Sequence, residues 1–160
     1  MRFLIIALIC TLYAGCASTP KQAVSSVQIE EIKPRYIETE QFKRISEYLT
    51  GRENLGDRIV FRTNPKERSG FYFALILDTN VRKLPKGTVV VGEFYTKKSI
   101  DKQIHEFTLA NKPVSTKEIF VGLTGEDWPE DSGAPSAWKF TLKDANGNIL
   151  GNSQSYLWSL

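Results

Sequence analysis

The stretch "AWKFTLKDANGNILG", Ala137–Gly151, decides the fold that this sequence predicts. Its first half alternates apolar and polar residues, the period of two that places one face of a strand against a core and the other face in solvent. The apolar positions are Trp138, Phe140 and Leu142, and the polar positions, expected to be exposed, are Lys139, Thr141 and Lys143. Because Asn-Gly is typical of turns between antiparallel strands, Asp144–Gly147 predicts a hairpin.

The same period of two recurs from Arg58 onward and predicts seven strands. They are expected at Arg58–Thr63, Phe71–Asp78, Thr88–Thr96, Gln103–Leu109, Lys117–Leu123, Ala137–Lys143 and Asn148–Trp158. Phe71–Leu77 is apolar on both faces, so we expect it to lie in the centre of a sheet and to be covered on both sides. The predicted fold is an all-β, antiparallel, immunoglobulin-like β-sandwich of about seven strands, in a single domain of residues 35–160.

One short helix, Thr39–Leu49, is predicted before these strands. Thr39 is a favourable N-cap residue, and Gly51 follows the end of the segment. Three apolar residues fall on one stripe of the helix, and we expect that stripe to dock on the sheet. The stripe consists of Phe42, Ile45 and Leu49.

The N-terminus differs from the rest of the chain in composition. Arg2 is followed by the apolar run Phe3–Leu12, which is shorter than the roughly 20 residues that a membrane-spanning helix needs. The run is typical of a secretory signal and is followed by Ala14-Gly15-Cys16. These three residues resemble the lipobox of bacterial lipoproteins, in which small residues precede a cysteine that is lipidated and becomes the mature N-terminus. The resemblance implies that residues 1–15 are a signal peptide and that Cys16 carries the lipid.

The residues around Cys16 indicate where the protein is held. Cys10 lies in the predicted signal peptide, so the mature chain keeps one cysteine and forms no internal disulfide. Ala17 and Ser18 follow the lipidated cysteine, and in this class of proteins such residues imply sorting to the outer membrane. We therefore expect a lipid-anchored protein of the bacterial cell envelope that faces the periplasm.

Residues 16–34 show no sustained period and predict a tether between the anchor and the domain. An alternative stays open for part of this segment, because scattered apolar residues there suit a short added strand. They are Val27, Ile29 and Ile32.

The composition excludes several classes of function. The 160-residue chain has a net charge of only +3, so nucleic-acid binding is not expected. One histidine and no free cysteine do not make a zinc site, and no cofactor motif is present. That histidine, His105, lies on a predicted strand with Phe107 and Leu109 on its face, and we interpret it as a packing residue rather than a general base. We expect no catalytic residue, no metal, no cofactor and no enzymatic activity.

Strand order brings three connections together. In an antiparallel domain, successive connections lie at alternate ends, so the first, third and fifth are expected at the end away from the tether. The fifth, Thr124–Pro135, is one of the longest connections and is the candidate binding loop. Its candidate residues are Glu126, Asp127, Trp128, Glu130 and Asp131. The candidate basic neighbours on the other two connections are Lys66, Arg68, Lys97, Lys98 and Lys102.

Two interpretations of this end stay open. In one, the opposite charges form a recognition surface with Trp128 as an aromatic anchor. In the other, the charges neutralise one another and Trp128 caps the core, with its indole N–H bonded to a carbonyl.

We therefore expect a binding or scaffolding module, an accessory subunit of an envelope assembly, with an envelope protein as its partner. Two alternatives are a binder of cell-wall glycan or lipopolysaccharide, and a hydrolase that uses Glu130 or Asp131.

Overall fold

The computed structural model describes residues 23–97, 99–111, 113–128 and 133–159. The predicted signal peptide, the predicted lipidation site Cys16 and the candidate residues Lys98, Glu130 and Asp131 lie outside the described residues. Within them, the protein is an all-β sandwich of two four-stranded sheets with few helices. None of the helices in the described part has the length and apolar composition to cross a membrane.

Eight strands and two short helices make up the described fold. They are β1 (Ile29–Ile37), α1 (Thr39–Phe42), α2 (Ile45–Thr50), β2 (Ile59–Arg62), β3 (Gly70–Leu77), β4 (Val89–Thr96), β5 (Ser99–Thr108), β6 (Glu118–Thr124), β7 (Ala137–Lys143) and β8 (Ile149–Gln154). The first sheet has the order β1-β3-β6-β2, and the second sheet has the order β5-β4-β7-β8. Short 3₁₀ turns follow β3, β6 and β8.

Strand β1 corrects the prediction of a tether up to residue 34. It pairs antiparallel with β3, and the residues named for the alternative of an added strand contact the core: Val27 and Ile29 are buried and Ile32 is partly buried. The strand forms because β3 would otherwise have an unpaired edge beside a fully apolar face.

The expectation of purely antiparallel pairing is wrong at one place. Strands β2 and β6 pair in parallel, with Ile59 opposite Ile119 and Arg62 opposite Gly122. Because β1 and β2 lie on opposite edges of the first sheet and run in the same direction, the chain between them must return along the sheet. That return segment, residues 38–58, carries α1 and α2 and is called the crossover below.

The core lies between the two sheets and is rich in aromatic rings. Phe73 of β3 contacts Phe94 of β4 and Phe140 of β7, with ring centroids 5.4 Å and 5.2 Å apart. On the outer face of β3, Tyr72 and Ala74 join a second, smaller cluster with Phe42 of α1. Strand β3 is therefore central and covered on both sides, as predicted.

On β7, the expected inward face is confirmed, but the outward residues are less exposed than predicted, and Lys139 and Lys143 are half-buried. Phe140 and Leu142 are fully buried, and Trp138 packs partly buried against the same core. Thr141, expected to be exposed, is only 5% exposed. Strand β7 is central in the second sheet, and the short Thr141 side chain lies between Val91 and Asn152 of the neighbouring strands. The predicted hairpin to β8 is present, closed by a bond from Gly147 N to Asp144 O at 3.1 Å.

The predicted helix of residues 39–49 is broken in two. Lys43 and Arg44 adopt extended conformations between α1 and α2, and Glu38 rather than Thr39 is the N-cap of α1. Phe42 is buried as expected, but Ile45 and Leu49 are each 84% exposed, so the predicted stripe does not dock. Glu47 faces the sheet in their place, because its carboxylate accepts a hydrogen bond from Arg68 Nη1 at 2.6 Å.

Candidate functional site

The three connections predicted to lie together do so. Asn64 N, after β2, donates to Thr124 Oγ1 at 2.9 Å, and a Cβ on Gly133, before β7, would lie 3.8 Å from Lys97 Nζ. At the opposite end, Val24 N donates to Lys83 O at 3.1 Å, on the connection that follows β3. We call the end that contains residues 64–69, 97, 125–128 and 133–136 the distal end, because the first described residues lie at the other end.

Trp128 closes the distal end of the core. It is 7% exposed, and its indole Nε1 donates to Gly133 O at 2.7 Å. Its ring lies 5.1 Å from that of Tyr36 and 6.1 Å from that of Phe71. Of the two interpretations of this residue, these contacts favour the structural one, with the indole as a cap.

The described acids of the candidate loop lie on the 3₁₀ turn Gly125–Asp127. Glu126 is exposed, and Asp127 is half-buried. Asp127 lies close enough to His105 to affect the imidazole electrostatically. Part of the loop's acidic charge is therefore directed to the end of the sandwich rather than outward.

The candidate basic neighbours are not gathered around these acids. Arg68 Nη1 bonds Glu47 and its Nε lies 3.4 Å from Glu53, so Arg68 holds the crossover in place. Lys102 Nζ bonds Glu93 at 2.6 Å and lies over the ring of Trp158. Lys66 is exposed on the connection between β2 and β3, and Lys97 lies near Gly133. Of the described candidate cations, Lys66 and Lys97 are therefore the two that are not held in an ion pair within the described fold.

His105 lies half-buried on β5, on the face that points into the sandwich. Burial holds the pKa of its imidazole below the ordinary value, and Asp127 opposes this shift. Its Nε2 has no hydrogen-bond partner, and the same holds for Gln103 Oε1 and Thr96 Oγ1 nearby on the β4–β5 pair. Its neighbours are the rings of Phe94 and Phe107, at 6.3 Å and 6.5 Å, so the geometry supports a packing role. Within the described ranges, no three His, Cys, Asp or Glu side chains come together to hold a metal ion.

A groove on the outer face of the first sheet is lined by arginines from three separate segments. Two adjoining cavities, of about 220 Å³ and about 510 Å³, share Gln41, Phe42 and Arg58 in their walls. Arg35 of β1 lines the smaller cavity, and Arg44 lines the larger one. We call this surface the arginine groove, defined by Arg35, Gln41, Phe42, Arg44 and Arg58.

The guanidinium groups of this groove form no ion pair with a carboxylate among the described residues. Arg35 lies over the ring of Phe120, with its guanidinium carbon 6.0 Å from the ring centroid. Arg44 packs against the backbone of Gly56, where an added Cβ would overlap its guanidinium. No carboxylate of the described chain lines either cavity, although Lys43 in the larger one bonds Glu40 at 2.5 Å. The groove is therefore a positively charged surface with donors that an anion can reach.

Sequence reasoning missed this groove because its arginines come from three separate segments. Arg35 lies directly after the predicted tether, Arg44 lies within the predicted helix, and Arg58 begins the first predicted strand. No spacing links them, and the broken helix that presents Arg44 depends on a contact with Arg68.

No protein-family model matches this sequence, and a search of curated proteins finds no match either.

Proposed function

We propose that this protein is a lipid-anchored protein of the bacterial cell envelope that acts as a binding or scaffolding module, and that it is not an enzyme. The observation that carries the proposal is the placement of the two ends. Val24 and Val27 lie at the end opposite the connections that follow β2, β4 and β6. An anchor at Cys16 would therefore leave the distal end directed away from the membrane, accessible to an envelope protein partner.

Location at the outer membrane, facing the periplasm, is part of the same proposal. It is supported by the likeness of Ala14-Gly15-Cys16 to a lipobox and by Ala17 and Ser18 after the cysteine. An immunoglobulin-like relationship of the sandwich is also proposed, supported by two facing sheets between which the chain passes repeatedly.

A second candidate function is the binding of cell-wall glycan or lipopolysaccharide, and the arginine groove favours it. Arg35, Arg44 and Arg58 offer planar donors that suit phosphate and carboxylate groups, and their groove faces solvent on the side of the sandwich. This function is compatible with a lipid-anchored module, since the two surfaces are different.

The anchor is tested by metabolic labelling with a fatty acid. Cys16→Ser is expected to abolish the label and to leave an uncleaved precursor, because the thiol is the site of lipid attachment. Cys10→Ser is the matched control, and the mature, labelled protein is expected to be unchanged. Label retained by the Cys16→Ser protein would overturn the lipoprotein proposal.

The partner surface is tested by site-specific photo-crosslinking in cells. A crosslinker at Glu126, which is exposed at the distal end, is expected to capture one defined envelope protein. A crosslinker at Ile149, which is exposed on the opposite side of the fold beside the β7–β8 hairpin, is the control and is expected not to capture it. Capture from position 149 and not from position 126 would contradict a distal binding surface.

A further inference from the structure

The arginines on the outer face of the first sheet form two groups, those in ion pairs with the described carboxylates and those without. Arg62 and Arg68 are tied to Glu53 and Glu47, with nitrogen–oxygen distances of 2.6 Å in both pairs. Arg35, Arg44 and Arg58 lie on the same side of the molecule and make no such pair with any described carboxylate. Their charges therefore add in the arginine groove instead of being neutralised within the fold.

The position of Arg58 gives the groove two anion subsites. Arg58 lines both cavities, together with Arg35 in the smaller cavity and Arg44 in the larger one. Each cavity is thus lined by two arginines, one of them shared. Guanidinium groups bind phosphate through paired N–H donors, so this arrangement suits a ligand with two phosphate groups, one in each cavity.

The rest of the groove is polar and open rather than a closed apolar pocket. Gln41 lies between the cavities, with its Oε1 bonded to Glu38 N at 3.0 Å and its amide NH₂ left as a donor. Ser46 and Asn54 line the larger cavity and are bonded to each other at 2.9 Å. Amides and hydroxyls of this kind suit the hydroxyl groups of a sugar, and the combined space is in the range of small-ligand sites.

We propose that the arginine groove binds a saccharide that carries two phosphate groups. The choice of a saccharide rests on the proposed function, because a protein at the envelope meets phosphorylated glycans, both free and linked to lipid. Arg58 contacts both phosphates, Arg35 and Arg44 contact one each, and Gln41 donates to the sugar between them.

The test is calorimetric titration of the full-length protein, purified in detergent, with N-acetylglucosamine 1,6-bisphosphate. N-acetylglucosamine and inorganic phosphate serve as comparison ligands and are expected to bind at least about tenfold more weakly, since each supplies only part of the contacts. Arg58→Met is expected to weaken binding of the bisphosphate by more than about tenfold, and Arg35→Met and Arg44→Met by less. Arg52→Met removes an exposed arginine outside the groove and is expected to leave the affinity unchanged.

Two results would overturn the proposal: an affinity that Arg58→Met leaves intact, or an equal loss in Arg52→Met, which would show only non-specific attraction. A matched N-hexanoyl sugar bisphosphate identifies the source of the ligand, and binding tighter than the N-acetyl form indicates a lipid-linked glycan. Equal affinity indicates a free glycan. Because binding is measured on purified protein, it is independent of the labelling experiment at Cys16, and either proposal can fail while the other stands.

Discussion

Arginines have two different roles where the crossover meets the first sheet. We call the contact made by Arg62 and Arg68 the upper half and the contact made by Arg44 and Arg58 the lower half. In the upper half, Arg62 donates to Glu53 and to the hydroxyl of Tyr72, and Arg68 donates to Glu47. In the lower half, Arg44 and Arg58 face a groove that no described carboxylate lines. Arginine side chains therefore hold the crossover by ion pairs in the upper half and line a positively charged groove in the lower half.

The difference follows from burial. The Arg62 side chain is 7% exposed, and a guanidinium group so far from water must have its charge and donors satisfied by the protein. Arg35, Arg44 and Arg58 are exposed and hydrated, so folding does not require partners for them. Removing the upper arginines should therefore affect stability, while removing the lower ones should affect only what the surface binds.

The largest effect is expected from Arg62→Met. The change leaves Glu53 without its bidentate partner and Tyr72 without a donor, and it should lower the free energy of unfolding by about 3 kcal/mol, because removing one partner of a buried pair is costly. Arg58→Met is the matched control and should change stability by less than about 0.5 kcal/mol. Urea denaturation followed by tryptophan fluorescence measures both. Equal losses would mean that the two halves do not differ as described.

Much of the fold could be predicted from the sequence, because a two-sheet sandwich imposes a period of two on strands with one exposed face and leaves central strands such as β3 apolar throughout. Strands β2 to β8 follow from that period, and the grouping of the three distal connections follows from their alternation along the chain. Strand β1 was predicted only as an alternative to a tether because it is an edge strand, with charged residues and Pro34 at positions that need no burial. Its two buried residues, Ile29 and Ile37, lie at its ends.

The crossover and its groove could not be predicted from local patterns. A helical stripe of Phe42, Ile45 and Leu49 is visible in the sequence, but the burial of Glu47 depends on Arg68, 21 residues later. That long-range ion pair turns α2 so that its acidic side faces the sheet. The arginine groove then forms from segments that no sequence spacing connects. The local sequence favours one continuous helix there, whereas the tertiary contact of Glu47 favours a broken one.

A smaller effect is expected from Gly56→Ala, which moves Arg44 without removing a charge. Gly56 has a φ of +58°, so an added Cβ should cost about 1 kcal/mol in backbone strain and would also displace the Arg44 guanidinium. Gly51→Ala is the control, since Gly51 has a φ of +64° with open space where its Cβ would be. Both variants should lose similar stability by urea denaturation. Only Gly56→Ala should weaken binding of the sugar bisphosphate, and equal affinities would contradict a role for Arg44 in the groove.

The smallest effect is expected from Glu47→Gln, which should change how the unfolding free energy depends on pH in acid. The Arg68 guanidinium holds the pKa of the Glu47 carboxyl below its ordinary value of 4.5, with help from a bond donated by Asn54 N. A carboxyl whose pKa is lowered by folding contributes stability that is present in full above its ordinary pKa. That contribution is lost as the pH falls below 4.5 and through the pKa of the folded state. Glu47→Gln should therefore flatten the fall of the unfolding free energy below about pH 5, because the amide does not titrate.

Glu40→Gln is the control for that experiment. The pKa of Glu40 is also lowered, chiefly by its bond to Lys43, but this carboxylate is mostly exposed and its ion pair is screened by solvent. The acid limb of Glu40→Gln should stay close to that of the unaltered protein when urea denaturation is repeated between about pH 3 and pH 7. If Glu40→Gln reduced the loss of unfolding free energy at low pH as much as Glu47→Gln does, the two ion pairs would contribute equally. That result would contradict a special role for the contact between Glu47 and Arg68.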